Sequence, residues 1–397
     1  MTHRLDPARL ARLDACMADW VARGAYAGLE WRIGDMGGAL HGGRAGVMRS
    51  ADPVSALPDA PIYRMYSMTK PIVTLAAMQL VEDCRLALHA PVGDFLPEYA
   101  EMRVWRPDGF TEAARSPITI AQLMSHTAGL SYGFLADRSA GMYVATEAKA
   151  DPGQPLREHV KMFAGIPLVF HPGADWRYSV ATDVLGAVLE VVEGRSLRAI
   201  LEDRVLGPLG MTETAFAVAP DAQNRLMAIY GGTRPGAPLK ELDLSRGYPS
   251  TSGDWARGGH GLFSTLDDYS KLCVSLLGLA RGETPGLVGR KTLEMMIANR
   301  VPESAQPIGI NRPEARVGPG LGGYGFGLGF RCALPHAGGA RARDILASPG
   351  EFGWSGAAET WFTVDPAEGL WGVFLSQNLD WPGASADFQT MMVAAMR

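Results

Sequence analysis

The chain has 397 residues, 47% of them hydrophobic and 20% charged, with a net charge of −5. That length exceeds what one hydrophobic core usually supports, so two domains, or one domain with a large insertion, are expected. The acidic balance and the lack of any basic run or stripe argue against nucleic acid as a partner and leave a small neutral or weakly charged substrate as the simpler expectation. Residues Arg9 to Trp20 can place Leu10, Leu13, Met17 and Trp20 on one helical face. The stretch from Met1 to Trp20 has neither the apolar centre nor the cleavage-like end of an export signal, so a cytoplasmic location is expected. Tyr26 to Ile33 and Gly38 to Val47 read as a strand pair around a Gly-rich turn.

The character then changes. Lys70 to Val81, Ile120 to Ser125, Leu156 to Phe163 and Asp183 to Glu193 read as helices, separated by loops such as Asp151-Pro152-Gly153 and His171-Pro172-Gly173. Tyr230 to Ser252 lacks apolar periodicity and reads as a loop crossing a cleft. Tyr324 to Cys332, Ala358 to Val364 and Leu370 to Gln377 read as strands, and Asp387 to Met396 closes the chain as a helix. Both chain ends are thus expected to build one sheet covered by helices, an α+β arrangement around a mainly helical middle. No run of 18 apolar residues is present, so no membrane-spanning helix is expected. Cys16, Cys84, Cys273 and Cys332 are widely separated and no His cluster accompanies them, so neither a disulfide framework, a metal site nor a cofactor is implied.

The stretch that carries chemistry is Ser67-Met68-Thr69-Lys70. A serine three residues ahead of a lysine on a helix puts a hydroxyl and an amine on one face. With only 6 lysines and 20 serines in the chain, chance supplies about 0.3 such pairs. Positive charge is otherwise carried almost entirely by arginine, which cannot act as a base, whereas burial can tune a lysine down until it accepts a proton. A helix start at Ser67 would add unpaired N–H groups for a developing negative charge. Tyr178, in Trp176-Arg177-Tyr178-Ser179, is a candidate proton carrier. Gly353-Trp354-Ser355-Gly356-Ala357 is a Gly-rich segment that allows a backbone N–H to approach a bound carbonyl.

These segments, with Leu123-Met124-Ser125-His126-Thr127-Ala128-Gly129-Leu130, Leu206-Gly207-Pro208-Leu209-Gly210-Met211 and Gly258-Gly259-His260-Gly261-Leu262, resemble the serine β-lactamase and penicillin-binding-protein superfamily. The resemblance is to its class C-like branch, which contains the family VIII carboxylesterases. It implies a β-lactamase/transpeptidase-like fold: an antiparallel sheet flanked by helices, built from residues 1–66 and 258–397, and a mainly helical domain over residues 67–257. The active site would lie in the cleft between them. By the same resemblance Ser67 is the acylated nucleophile, Lys70 and Tyr178 manage its proton, and the backbone N–H groups of Ser67 and Ala357 form the oxyanion hole. Trp354, Ser355, Gly356 and Val180 would contact substrate.

Two departures shift the expected activity. Val180 stands where class C β-lactamases place an asparagine, and Trp354 stands where their strand carries a lysine; both weaken recognition of an anionic β-lactam. A serine carboxylesterase acting on short to medium acyl esters is therefore expected ahead of a β-lactamase, an acyltransferase or an amide hydrolase. A non-catalytic ligand-binding relative is the rival from another class. Ser355 sits in a near match to the G-x-S-x-G elbow, but alanine replaces the final glycine and no helix follows. His126 and His260 are expected to be structural, while Asp254-Trp255 either contacts substrate or is a solvated part of the cleft loop.

Overall fold

In the computed structural model, described residues are 5–151, 153–232, 237–251, 256–306, 308–309, 323–335 and 346–397. Asp254-Trp255 and part of the expected cleft loop fall outside them. The chain opens with α1 (Pro7–Ala22), β1 (Gly28–Asp35), β2 (Gly38–Arg49), β3 (Asp52–Ala56) and β4 (Tyr63–Arg64). The middle holds α2 (Thr69–Glu82), the short strands β5 (Arg103–Trp105) and β6 (Thr111–Ala113), then α3 (Ile120–Ser125), α4 (Ala140–Glu147), α5 (Leu156–Ala164), α6 (Ala181–Glu193) and α7 (Leu197–Leu201). The rest comprises β7 (Phe263–Ser264), α8 (Leu266–Arg281), α9 (Arg290–Ile297), β8 (Tyr324–Phe326), β9 (Arg331–Ala333), β10 (Phe352–Gly356), β11 (Thr360–Asp365), β12 (Leu370–Leu375) and α10 (Ala384–Ala394).

Eight strands form one sheet in the order β3-β2-β1-β12-β11-β10-β9-β8, with every pairing antiparallel. Its register sorts the large side chains onto two faces, because successive residues of a strand point opposite ways. Trp31, Phe374 and Trp361 lie side by side across β1, β12 and β11 and are buried with Leu13 and Met17 of α1 and Phe388 and Met392 of α10. Trp354, Phe362 and Val373 lie side by side on the other face. There they join a core that runs through α8 and on into α2, α3, α5 and α6. Helix α2 is buried on nearly every side, which explains its lack of a polar stripe.

Two expectations are corrected. Tyr324 to Cys332 is two strands, because Gly329 (φ +91°) reverses the chain between β8 and β9. The Gly-rich segment at Gly353 is itself strand β10, and β11 starts at Thr360, after a turn. α4, α8, α9 and β3 are further elements that the sequence patterns did not announce.

The turn between β10 and β11 is fastened from the opposite face of the sheet. Glu359 has a left-handed backbone (φ +57°) and a fully buried carboxyl, which accepts hydrogen bonds from Tyr26 Oη (2.5 Å) and Ser385 N (3.0 Å). Tyr26 Oη in turn accepts from the N–H groups of Gly383 and Ala384, both at 3.0 Å. Tyr26→Phe removes the shared partner of Glu359 Oε2 and of the Gly383 and Ala384 N–H groups, leaving only the Ser385 bond, so urea denaturation should register a loss of about 2–4 kcal/mol; a loss below about 0.5 kcal/mol would mean that the turn is held otherwise.

Candidate active site

Ser67 sits on a single 3-10 turn, Tyr66–Met68, that feeds α2, so the helix proper begins two residues later than the sequence suggested. The turn is entered through Tyr66, whose left-handed backbone (φ +46°) is costly for a bulky residue and must be held by its surroundings. The Tyr66 ring packs edge-on against Tyr248 at 5.0 Å. Met65 N donates to Leu262 O (2.9 Å), Leu262 N donates to Thr69 Oγ1 (3.1 Å) and Tyr269 Oη donates to Met68 O (2.8 Å). Thus Met65 to Thr69 is bolted on both flanks, and Ser67 is left half-buried between them.

Lys70 is 0% exposed. Its Nζ lies 3.1 Å from Ser67 Oγ, 3.1 Å from Tyr132 Oη and 2.7 Å from Gly259 O. Burial brings its pKa down to about 7, against the opposing pull of the Asp183 carboxylate. Asp183 is buried in the first turn of α6, where Oδ1 accepts from Gly259 N at 2.9 Å. One peptide unit therefore ties the two groups together: Asp183 holds the N–H of Gly259, and Lys70 holds its carbonyl. A Cβ on Gly259 would lie 2.5 Å from Asp183 Oδ2 and 3.0 Å from Tyr132 Oη, so only glycine fits.

Tyr178 is 4% exposed and its ring centroid lies 4.5 Å from Lys70 Nζ. Burial pushes its phenol above the ordinary value, with hydrogen bonds to Ser67 and to Trp354 Nε1 (3.3 Å) partly opposing. Desolvation thus favours the neutral form of both groups, an amine beside a phenol. On the other side of Ser67, β10 packs its last residues against the entering chain. A Cβ on Gly356 would lie 2.3 Å from Met65 O, so this approach requires glycine. Ala357 follows directly, half-buried, its carbonyl oxygen accepting from Trp381 Nε1 at 2.6 Å.

The structure therefore brings Ser67, Lys70, Tyr178 and the Gly356-Ala357 strand end together. Ser355 is half-buried on the same strand, which leads into a hairpin and not into a helix, so it has no elbow geometry. Trp354 and Val180 need correction as direct substrate contacts: each is 1% exposed and offers almost no surface. Trp354 instead lies under Tyr178, with ring centroids 5.4 Å apart. His126 is also in the core, Nδ1 3.2 Å from Ser179 Oγ and its ring 4.8 Å from that of Tyr178. Burial holds His126 well below the usual histidine pKa and lowers His260 to about 4. Sequence reasoning missed Tyr132, Asp183 and the carbonyl of Gly259; the signals were Tyr132 two residues beyond the Leu123 to Leu130 motif and the Gly258-Gly259 pair. Among the described residues no cluster of His, Cys, Asp and Glu could hold a metal, and no helix is long and apolar enough to cross a membrane.

The family model described as Beta-lactamase matches residues 13–395. Esterase EstB of Burkholderia gladioli is 31% identical, over 96% of this chain and 93% of its own. Lovastatin esterase of Penicillium rubens is 33% identical over 65% of this chain and 68% of its own. The solved structure of EstCE1, titled a hydrolase with promiscuous acyltransferase activity, superposes with a TM-score of 0.80 at 24% identity, covering 98% of this chain and 99% of that one.

The lysine carries a stability signature. Its folded pKa of about 7 lies below the ordinary 10.5, so between those values the unfolded chain holds a proton that the folded chain has lost, and stability rises with pH across that window. Lys70→Met removes the term. Denaturation profiles of the two proteins should therefore converge as pH rises from about 7 to 10, with the variant the more stable at pH 7; parallel profiles would mean that Lys70 stays charged.

Proposed function

Because the chain belongs to the β-lactamase family and is a serine hydrolase on that fold, we propose that it is a carboxylesterase working through an acyl-enzyme on Ser67. The observation that carries this reading is the desolvated Lys70 amine, 3.1 Å from Ser67 Oγ. Ser67 Oγ attacks the ester carbonyl while its proton passes to the neutral Lys70 Nζ. The carbonyl oxygen becomes an oxyanion, received by the N–H groups of Ser67 and Ala357, a donor commonly contributing roughly 3–4 kcal/mol to acyl transfer. Collapse expels the alcohol, protonated through Tyr178, whose raised pKa keeps it a donor at neutral pH. Water then attacks the acyl-serine by the same proton route in reverse. The site lies in the proposed cleft between residues 67–257 and the part built from 1–66 and 258–397. The free thiols of Cys16, Cys84, Cys273 and Cys332 agree with a reducing, cytoplasmic setting.

Acyl transfer is the second reading, because EstCE1 is described as both hydrolase and acyltransferase. The two differ only in whether an alcohol outcompetes water at the acyl-enzyme. Turnover of p-nitrophenyl butyrate, with and without added 1-butanol, separates them by the butyl ester formed. Ser67→Ala should lower kcat/KM by at least about 10³-fold, and a chromogenic cephalosporin should be turned over slowly. Undiminished ester turnover in Ser67→Ala would remove the assigned nucleophile; rapid cephalosporin turnover would make the protein a β-lactamase.

Asp183→Asn keeps an acceptor for Gly259 N but deletes the charge that favours protonated Lys70. The acid limb of the kcat/KM profile should then move to lower pH, by on the order of one unit. An unmoved limb would assign the titration to another group.

A further inference from the structure

Arg64 is buried without a carboxylate partner among the described residues. Its side chain is on β4, three residues before Ser67, and only 8% exposed. No carboxylate among the described residues lies within ion-pair distance, and its Nε has no hydrogen-bond partner. Arg331 is the contrast: more deeply buried, it is matched to the carboxylate of Glu351 at 3.0 Å. A buried charge lacking an opposite charge is destabilising, and the aromatic rings beside Arg64 offset only part of that. These are Tyr248 and Phe263, with centroids 5.8 and 5.5 Å from its Cζ.

Arg64 faces a cavity of about 530 Å³ that Gln223, Met227, Leu244 and Ser250 help to line. That volume is in the range of small-molecule sites. The other charged groups bordering it are engaged or solvated: Glu241 is ion-paired with Arg49, and Asp243 is exposed and accepts from Ser245 N. The guanidinium is thus a buried cation at the wall of a hollow, a fork of donors shaped for two carboxylate oxygens. Three residues of chain hold the Arg64 and Ser67 backbones within about 11 Å of each other, so whether one molecule bridges the cavity and the serine is a question that a charged ester can answer.

We propose that Arg64 is the anion-binding group of a second subsite, which takes a carboxylate. The carboxylate is either the ionised end of an ester whose acyl carbonyl lies at Ser67 or a free small dicarboxylate. The first source rests on the esterase reading above; the second does not.

Two measurements test it. The mono-p-nitrophenyl ester of glutaric acid and neutral p-nitrophenyl butyrate are compared in wild type, Arg64→Gln and Arg64→Lys. Arg64→Gln should lose at least about 10-fold more kcat/KM on the charged ester than on the neutral one, mainly through KM, and Arg64→Lys should recover part of it. Glutarate is also titrated calorimetrically into wild type and Ser67→Ala, which needs no turnover. Saturable binding in both, abolished by Arg64→Gln, is the expected result. Binding without any preference for the charged ester would assign the site to a free carboxylate. Equal losses on both esters, with no glutarate binding to wild type, would overturn the proposal. Were Arg64→Gln not to fold, glutarate titration of Arg64→Lys would decide it, weakened binding supporting the proposal and unchanged binding overturning it, and an enzyme inert to both esters yet binding glutarate would sink the esterase reading alone.

Discussion

A primary amine cut off from water is the constraint around which the centre of this molecule is arranged. Lys70 rides on a helix with almost no solvent face, so its nitrogen must find protein acceptors or lose its proton. It finds Gly259 O, Tyr132 Oη and Ser67 Oγ. Reaching Gly259 in turn demands that the Gly258-Gly259 backbone press against α6. A Cβ on Gly258 would lie 2.4 Å from Thr182 O, which leaves no room for any other residue. The desolvated lysine thus dictates the packing of α2, the start of α6 and the loop before β7 as one junction.

A second junction meets the first at Ser67. β10 comes from the far end of the chain, and its glycines let it lie flat against the segment that enters the 3-10 turn. Around both runs a belt of rings: Phe326 packs on Trp354 at 4.9 Å and on His126 at 5.2 Å, and Tyr178 lies between Trp354 and Tyr132. Aromatic contacts of this kind fix orientation as well as exclude water. They give the Tyr178 hydroxyl little freedom to swing away from Ser67.

How far the sequence could be read follows from how local each feature is. Ser67 and Lys70 were legible because a helix sets their relation within one turn. Tyr132 and Asp183 were not, since their nearness to Lys70 is made by packing between segments far apart in the chain. Helix α8 did carry end signals, Thr265 accepting from Asp268 N and Gly282 in the left-handed region (φ +69°), and these local caps were the part of it that could be read. Strand β10 was hidden by its glycines, which lower strand propensity. A Cβ on Gly353 would lie 2.1 Å from Phe362 O, so the neighbouring strand requires what the propensity disfavours. Likewise the aromatic run from Tyr324 to Cys332 concealed a reversal that only Gly329 announced.

The pairing of β1 with β12 sets the order in which this protein can become itself. Glu30 faces Leu375 and Trp31 faces Phe374, so the centre of the sheet joins residues more than 300 positions apart. On the ribosome β1, β2 and β3 must wait with only α1 to cover them, a small unit that is marginal in water, until nearly the whole chain has emerged. During that wait Leu29, Trp31 and Ile33 lack the C-terminal part of their finished core, Trp361, Phe374, Phe388 and Met392. A strand deep inside the finished sheet is thus the one whose second neighbour is made last.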